Sequence, residues 1–101
     1  MAESKHYVYI LRCKDATLYT GYTTNVERRV KMHQNGNGAK YTRGRGPFTV
    51  VFQKECESKS EALQLEARIK KLTRYHKMKL ILENEKERFV MNENSKELSE
   101  G

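Results

Sequence analysis

The chain contains two short runs that alternate aromatic with apolar or β-branched residues. They are Tyr7-Val8-Tyr9-Ile10-Leu11 and Leu18-Tyr19-Thr20-Gly21-Tyr22, and Lys14-Asp15-Ala16 lies between them. A period of two on either side of turn-forming residues predicts two antiparallel strands, about His6 to Cys13 and Thr17 to Tyr22, joined as a hairpin. The loop length then decides which residues face each other, because a slip of one residue turns every side chain to the other face. With a three-residue loop Cys13 pairs with Thr17, which sets Tyr9 opposite Gly21 and Tyr19 opposite Leu11. Both tyrosines then share a face as diagonal neighbours, and Gly21 leaves room for their rings. A two-residue loop would place them on opposite faces.

Thr24-Asn25-Val26-Glu27 reads as a capping box with Thr24 as N-cap, so a helix is expected to start there. Asn35-Gly36-Asn37-Gly38 stops it near Gln34. Arg29 and His33 stand four apart on one face of that helix, beside a narrow stripe of Val26 and Val30. Residues 35–47 form a loop rich in glycine and basic residues, too long for a plain connector. Phe48 to Cys56, with Pro47 marking the start, predicts a third strand with Phe48, Val50 and Phe52 facing one way. Ser58-Lys59-Ser60-Glu61 is a second capping box. It precedes Ala62, Leu65, Ile69 and Leu72 at helical spacing, with Glu66 at the edge of that stripe. A last helix, about Arg74 to Glu83, would turn Tyr75, Met78, Ile81 and Leu82 inward and Lys77 and Lys79 outward. The expected fold is therefore α/β in the α+β sense, a three-stranded antiparallel sheet flanked by helices in the order β-β-α-β-α-α. It would occupy residues 1–89, with 90–101 a disordered acidic tail.

With 101 residues, 37% of them hydrophobic and no tryptophan, the chain can build one small core and no large cavity. The net charge of +7 is uneven, since residues 83–101 carry −3 and residues 1–82 carry +10. A compact basic body favours a polyanionic partner, most commonly nucleic acid, through counterion release. No run approaches the roughly 20 apolar residues that cross a bilayer, and Met1 to Lys5 lacks the apolar core of a signal peptide. A cytoplasmic protein without a membrane partner is expected. Cys13 and Cys56 show no CxxC spacing and read as buried reduced thiols, ahead of a disulfide or a metal role.

Hairpin and helix together gather phenols, a guanidinium and an imidazole, a set suited to phosphodiester chemistry. The Tyr-Val-Tyr run, the Tyr19-Thr20-Gly21 run, Arg29 ten residues after Tyr19 and Glu66 in a later helix resemble the GIY-YIG endonuclease superfamily over about residues 6–72. The chain looks most like its small stand-alone bacterial members. The resemblance implies that Tyr9 and Tyr19 match the two motif tyrosines, Arg29 the helix arginine and Glu66 the metal-binding glutamate. It further implies one divalent cation, Mg²⁺ or Mn²⁺, and one-step hydrolysis of a phosphodiester. His33 falls where many members place a site His or Tyr. Tyr19 is the expected general base with Tyr9 as its hydrogen-bonding partner, and His33 is the alternative base. A phenol with a pKa of about 10 serves at neutral pH only where cations favour the phenolate.

Taken singly, each residue has a plainer reading. Tyr9 and Tyr19 could be cross-strand packing, Arg29 and His33 surface residues, and Glu66 an i,i+4 partner of Lys70. Tyr7 and Thr20 depart mildly from the family pattern, and Tyr22 stands where some repair members carry a helper lysine. In the long loop Lys40, Arg43 and Arg45 flank Tyr41, offering phosphate contacts and one ring for base stacking. The expected activity is metal-dependent DNA cleavage, on single-stranded or branched DNA rather than RNA or a specific duplex site, in DNA repair or processing. A protein partner could supply specificity, and the oligomeric state stays open. The alternative is a catalytically weak nucleic-acid-binding module or adaptor.

Overall fold

The computed structural model describes residues 5–38 and 42–86, so Lys40, Tyr41 and the expected acidic tail lie outside the described residues. Two compact units divide the chain, Met1–Lys71 and Leu72–Gly101. The first holds β1 (His6–Arg12), β2 (Leu18–Thr23), α1 (Val26–Gln34), β3 (Thr49–Cys56) and α2 (Lys59–Lys70). Its sheet has the order β2-β1-β3, antiparallel at both pairings. The second holds α3, residues 74–86. The expected element order and sheet are both found.

The hairpin closes as the three-residue loop requires. The Cys13 N–H donates to the Thr17 carbonyl at 2.9 Å, and the Ala16 N–H to the Cys13 carbonyl at 2.9 Å, with Ala16 at φ +71°. Asp15 Oδ1 accepts from the Thr17 N–H (3.2 Å) and hydroxyl (2.6 Å), an Asx turn that stabilises this left-handed step. Tyr9 therefore pairs with Gly21 and Leu11 with Tyr19.

Two local readings need correction. The N-cap of α1 is Asn25 rather than Thr24: the Asn25 side chain accepts from the Arg28 N–H at 3.0 Å. Asn is the stronger cap, and the Thr23 hydroxyl, accepting from the Asn25 N–H, turns the chain into it. In β3, Phe48, Val50 and Phe52 do not share a face. Leu11 pairs with Val50 but Ile10 with Phe52, so Val51 is an extra residue, a β-bulge. Phe48 and Val50 join the Tyr9, Leu11 and Cys13 cluster together with Tyr19 and Val30. Phe52 turns to the opposite face with Val8 and Ile10, both fully buried.

α2 starts as expected, with the Ser58 hydroxyl accepting from the Glu61 N–H at 3.1 Å. The returning Glu61 carboxylate takes the Glu57 N–H at 2.9 Å, one residue before the cap. Against the sheet α2 buries Ala62 and Ile69. In α3 only part of the expected inward stripe is covered. Ile81 is buried, whereas Tyr75 is 67% and Leu82 55% exposed and Met78 is exposed as well. Helical periodicity gives a stripe its direction, but burying it needs a partner surface of equal width.

Candidate active site

Gly21 makes room for Tyr9. A Cβ built on Gly21 would stand 2.5 Å from the Tyr9 hydroxyl oxygen, so the ring lies directly over the glycine. Tyr9 is 0% exposed, and Tyr19, half-buried, sits beside it with ring centroids 6.3 Å apart. The paired tyrosines are thus packed as cross-strand neighbours, and Tyr9 also carries its hydroxyl into a polar cluster.

α1 supplies the rest of that cluster. His33 completes the stripe begun by Val26 and Val30 at i, i+4 and i+7, and it is 2% exposed, not a surface histidine. Its Nε2 lies 3.1 Å from the Tyr9 hydroxyl and its Nδ1 2.8 Å from the Thr42 hydroxyl. The ring is edge-on to Tyr19 at 5.3 Å and packs near Phe48 at 5.8 Å. Any Cβ at Gly38 would collide with the His33 ring. Burial, and secondarily the Arg29 charge, hold the imidazole pKa below its ordinary value and so favour the neutral ring. The Tyr9 phenol is pushed up to about 12, chiefly by burial, against the opposing hydrogen bonding and charge of Arg29.

Arg29 is half-buried. Its guanidinium acts on Tyr9 and touches Met32 Sδ at 4.0 Å, while its Nε is buried without a hydrogen-bond partner. A buried unpaired donor of a charged group is costly, and a bound anion would relieve it. Glu66 is half-buried on α2, its charge adding to the upward push on Tyr9. Its Oε2 lies 3.1 Å from Lys70 Nζ, so the i,i+4 pair is real.

Tyr9, Tyr19, Arg29 and His33 thus come together, with Glu66 in electrostatic range. Tyr22 faces the other side of the sheet, opposite Val8, and its hydroxyl lies 2.8 Å from His6 Nδ1. Arg43 is exposed on a turn closed by the Arg45 N–H donating to the Thr42 carbonyl at 3.1 Å. That turn is tied to the hairpin tip, where Arg45 meets Asp15 at 2.7 Å and the Lys14 N–H donates to the Arg45 carbonyl at 2.8 Å. Sequence reasoning missed Thr42, whose hydroxyl contacts a histidine nine residues away and leaves no local signature.

A cavity of about 700 Å³ lies elsewhere, lined by Tyr7, Val26, Val30, Lys31 and Val50 among others and by none of Tyr19, Arg29, His33 and Glu66. A second cavity, of about 540 Å³, is lined by His33, Gly36, Gly44, Gly46, Pro47 and Phe48 among others. Among the described residues no three His, Cys, Asp or Glu side chains converge to hold a metal, and no helix is long and apolar enough to cross a membrane. A single carboxylate is nevertheless a sufficient protein ligand for a hard cation that keeps most of its waters.

Comparison with known proteins bears on the family of the chain. The GIY-YIG catalytic domain model matches residues 5–80. A UPF0213 protein of Oceanobacillus iheyensis is 60% identical over 85 residues, which is 84% of this chain and 99% of that one. The solution NMR structure of a UPF0213 protein from Bacillus halodurans is 56% identical, with a TM-score of 0.52 over 76% of this chain and 82% of that one. An NMR structure from E. faecalis is 43% identical, with a TM-score of 0.56 over 78% and 84%.

Proposed function

Because the chain belongs to the GIY-YIG catalytic-domain family, a nuclease family, we propose that it is a divalent-metal-dependent DNA endonuclease acting through Tyr9, Tyr19, Arg29, His33 and Glu66. The observation that carries this reading is the buried, unpaired Nε of Arg29, whose guanidinium acts on the Tyr9 phenol and the His33 imidazole. A guanidinium so placed offers a planar donor fork to the nonbridging oxygens of a phosphate, where negative charge builds in the transition state.

Tyr19 is the better base. Both nitrogens of His33 are engaged, one by Tyr9 and one by Thr42, and the ring is closed to solvent, so it has no position for an attacking water. Tyr9, pushed up to about 12, stays a neutral phenol and orients its neighbours. Glu66 would hold the cation, Mg²⁺ or Mn²⁺, after releasing Lys70. When bound, the ion supplies Lewis acidity at the phosphate and stabilises the leaving oxygen.

Arg43 and Arg45, with Lys40 and Tyr41 beside them in sequence, would track the strand, the arginines as phosphate contacts. Single-stranded or branched DNA is the preferred substrate over RNA, consistent with a repair or processing role, and a protein partner could add specificity. A non-cleaving nucleic-acid-binding module is the second reading, favoured by the Lys70 ammonium that neutralises Glu66.

The test is incubation with labelled single-stranded, flap and duplex DNA, with Mg²⁺ or Mn²⁺ and then with EDTA, beside Glu66→Gln. Metal-dependent cuts lost in the variant are expected. Binding without cuts, equal in both proteins, would establish the module instead.

A further inference from the structure

Thr42 is 1% exposed, and its hydroxyl sits 2.8 Å from His33 Nδ1, at the inner end of a chain of polar groups that runs through His33 and Tyr9 to Arg29. The direction of that chain is set at its outer end. A guanidinium carries donors only, so toward the Arg29 charge that acts on it the Tyr9 oxygen accepts, and the phenol's single proton is directed to His33 Nε2, 3.1 Å away. A neutral imidazole that accepts at Nε2 carries its proton on Nδ1, where the Thr42 oxygen can receive it.

We propose that Thr42 is a positioning residue that fixes His33 as the Nδ1–H tautomer, so that Tyr9 donates inward and presents its oxygen lone pairs toward Arg29. In the other tautomer His33 Nε2–H would donate to Tyr9, and the phenolic proton would lose His33 as its acceptor while Arg29, a donor only, offers no other. Thr42 enters from the long loop, held by the turn that Arg45 closes and ties to Asp15. That loop thus does more than offer charge to a nucleic acid, because it determines the hydrogen-bond polarity of the cluster. The tautomer assignment rests on the Thr42–His33–Tyr9 hydrogen bonds together with the Arg29 charge that acts on Tyr9, while its effect on cleavage rests on the proposed function.

Side-chain nitrogen NMR of the His33 ring, run on the full chain at neutral pH, reads the tautomer directly. The wild-type protein is expected to show a protonated Nδ1 and an unprotonated Nε2. Thr42→Ser is expected to keep that pattern, and Thr42→Val to populate the Nε2–H form. In the DNA-cleavage assay Thr42→Val is expected to lose about tenfold or more in rate and Thr42→Ser to recover most of it. A wild-type protein with its proton on Nε2 overturns the proposal, whether or not any variant folds. An unchanged tautomer in folded Thr42→Val overturns it as well. If the wild type cleaves no DNA, the nuclease reading fails and the ring spectrum still decides the role of Thr42.

Discussion

Gly21→Ala is the sharpest test of how the site is built. The added methyl would stand 2.5 Å from the Tyr9 hydroxyl oxygen and 2.6 Å from its Cζ, against an ordinary contact of about 3.5–4.0 Å. Tyr9 has nowhere to retreat. It is fully buried in a cluster with Leu11, Cys13 and Phe48, and its hydroxyl is held 3.1 Å from His33. Overpacking of this kind costs about 1–3 kcal/mol, and a strained Tyr9–His33 hydrogen bond adds about 1 kcal/mol. Opposing this, alanine restricts the unfolded chain and recovers about 0.4–1 kcal/mol. The net expectation is a loss of about 1–3 kcal/mol, each kcal/mol lowering Tm by roughly 4–8 °C in a domain of this size. Urea and thermal unfolding followed by circular dichroism would measure it, with Tyr9→Phe and the double variant closing a cycle. Removing the hydroxyl relieves the nearest contact but leaves Cζ, so Gly21→Ala should cost less, though still something, in the Tyr9→Phe background. A Gly21→Ala protein as stable as wild type, or an equal cost in both backgrounds, would refute the placement of Tyr9 over Gly21.

Other consequences are open to direct measurement. The Tyr9 pKa of about 12 exceeds the ordinary 10.0, so above pH 10 the unfolded chain releases a proton that the folded one keeps. This stabilisation is fully present below pH 10 and is lost as pH rises toward 12, and Tyr9→Phe should flatten that part of a stability–pH curve. Thr20 is 4% exposed on the Ile10 face and its hydroxyl has no hydrogen-bond partner; Thr20→Val should therefore stabilise by about 1 kcal/mol in urea titration. Glu66→Gln should leave unfolding within about 0.5 kcal/mol of wild type, because its exposed partner Lys70 makes the pair a weak one, while metal-dependent cleavage disappears. Arg43→Ala should weaken DNA binding and lower the salt slope by about one unit. Arg45→Ala should do this and also loosen the turn that it anchors to Asp15, visible as faster amide exchange at Arg45.

Much of the fold was readable because local signals agreed. Alternation paired Tyr9 with Gly21 on condition of a three-residue turn, and the Cys13–Thr17 hydrogen bond supplies that condition, since loop length sets the parity. Asn25 was displaced by one position because Thr24 and Glu27 mimic a capping box and a stronger cap stood next to them. The bulge at Val51 could not be read, because an extra residue in an all-apolar run leaves no break in composition. His33 was readable in hindsight as the third member of the Val26 and Val30 stripe. The place of Thr42 depends on a contact distant in sequence, where periodicity is silent.

The bulge also bears on how such a chain can vary in length. Val50 addresses the face that holds Leu11 and Tyr9, and Phe52, two residues on, the face that holds Ile10. Deleting Val51 would keep the composition nearly unchanged, yet it would either rotate Phe48 and Val50 away from Tyr9 or rotate Phe52 away from Ile10. His33 would lose its Phe48 wall in the first case, and the opposite core layer its phenyl ring in the second. Substitutions at residue 51 should therefore be absorbed far more easily than a change in the number of residues between Phe48 and Phe52, so that β3 conserves a count where its neighbours conserve a pattern.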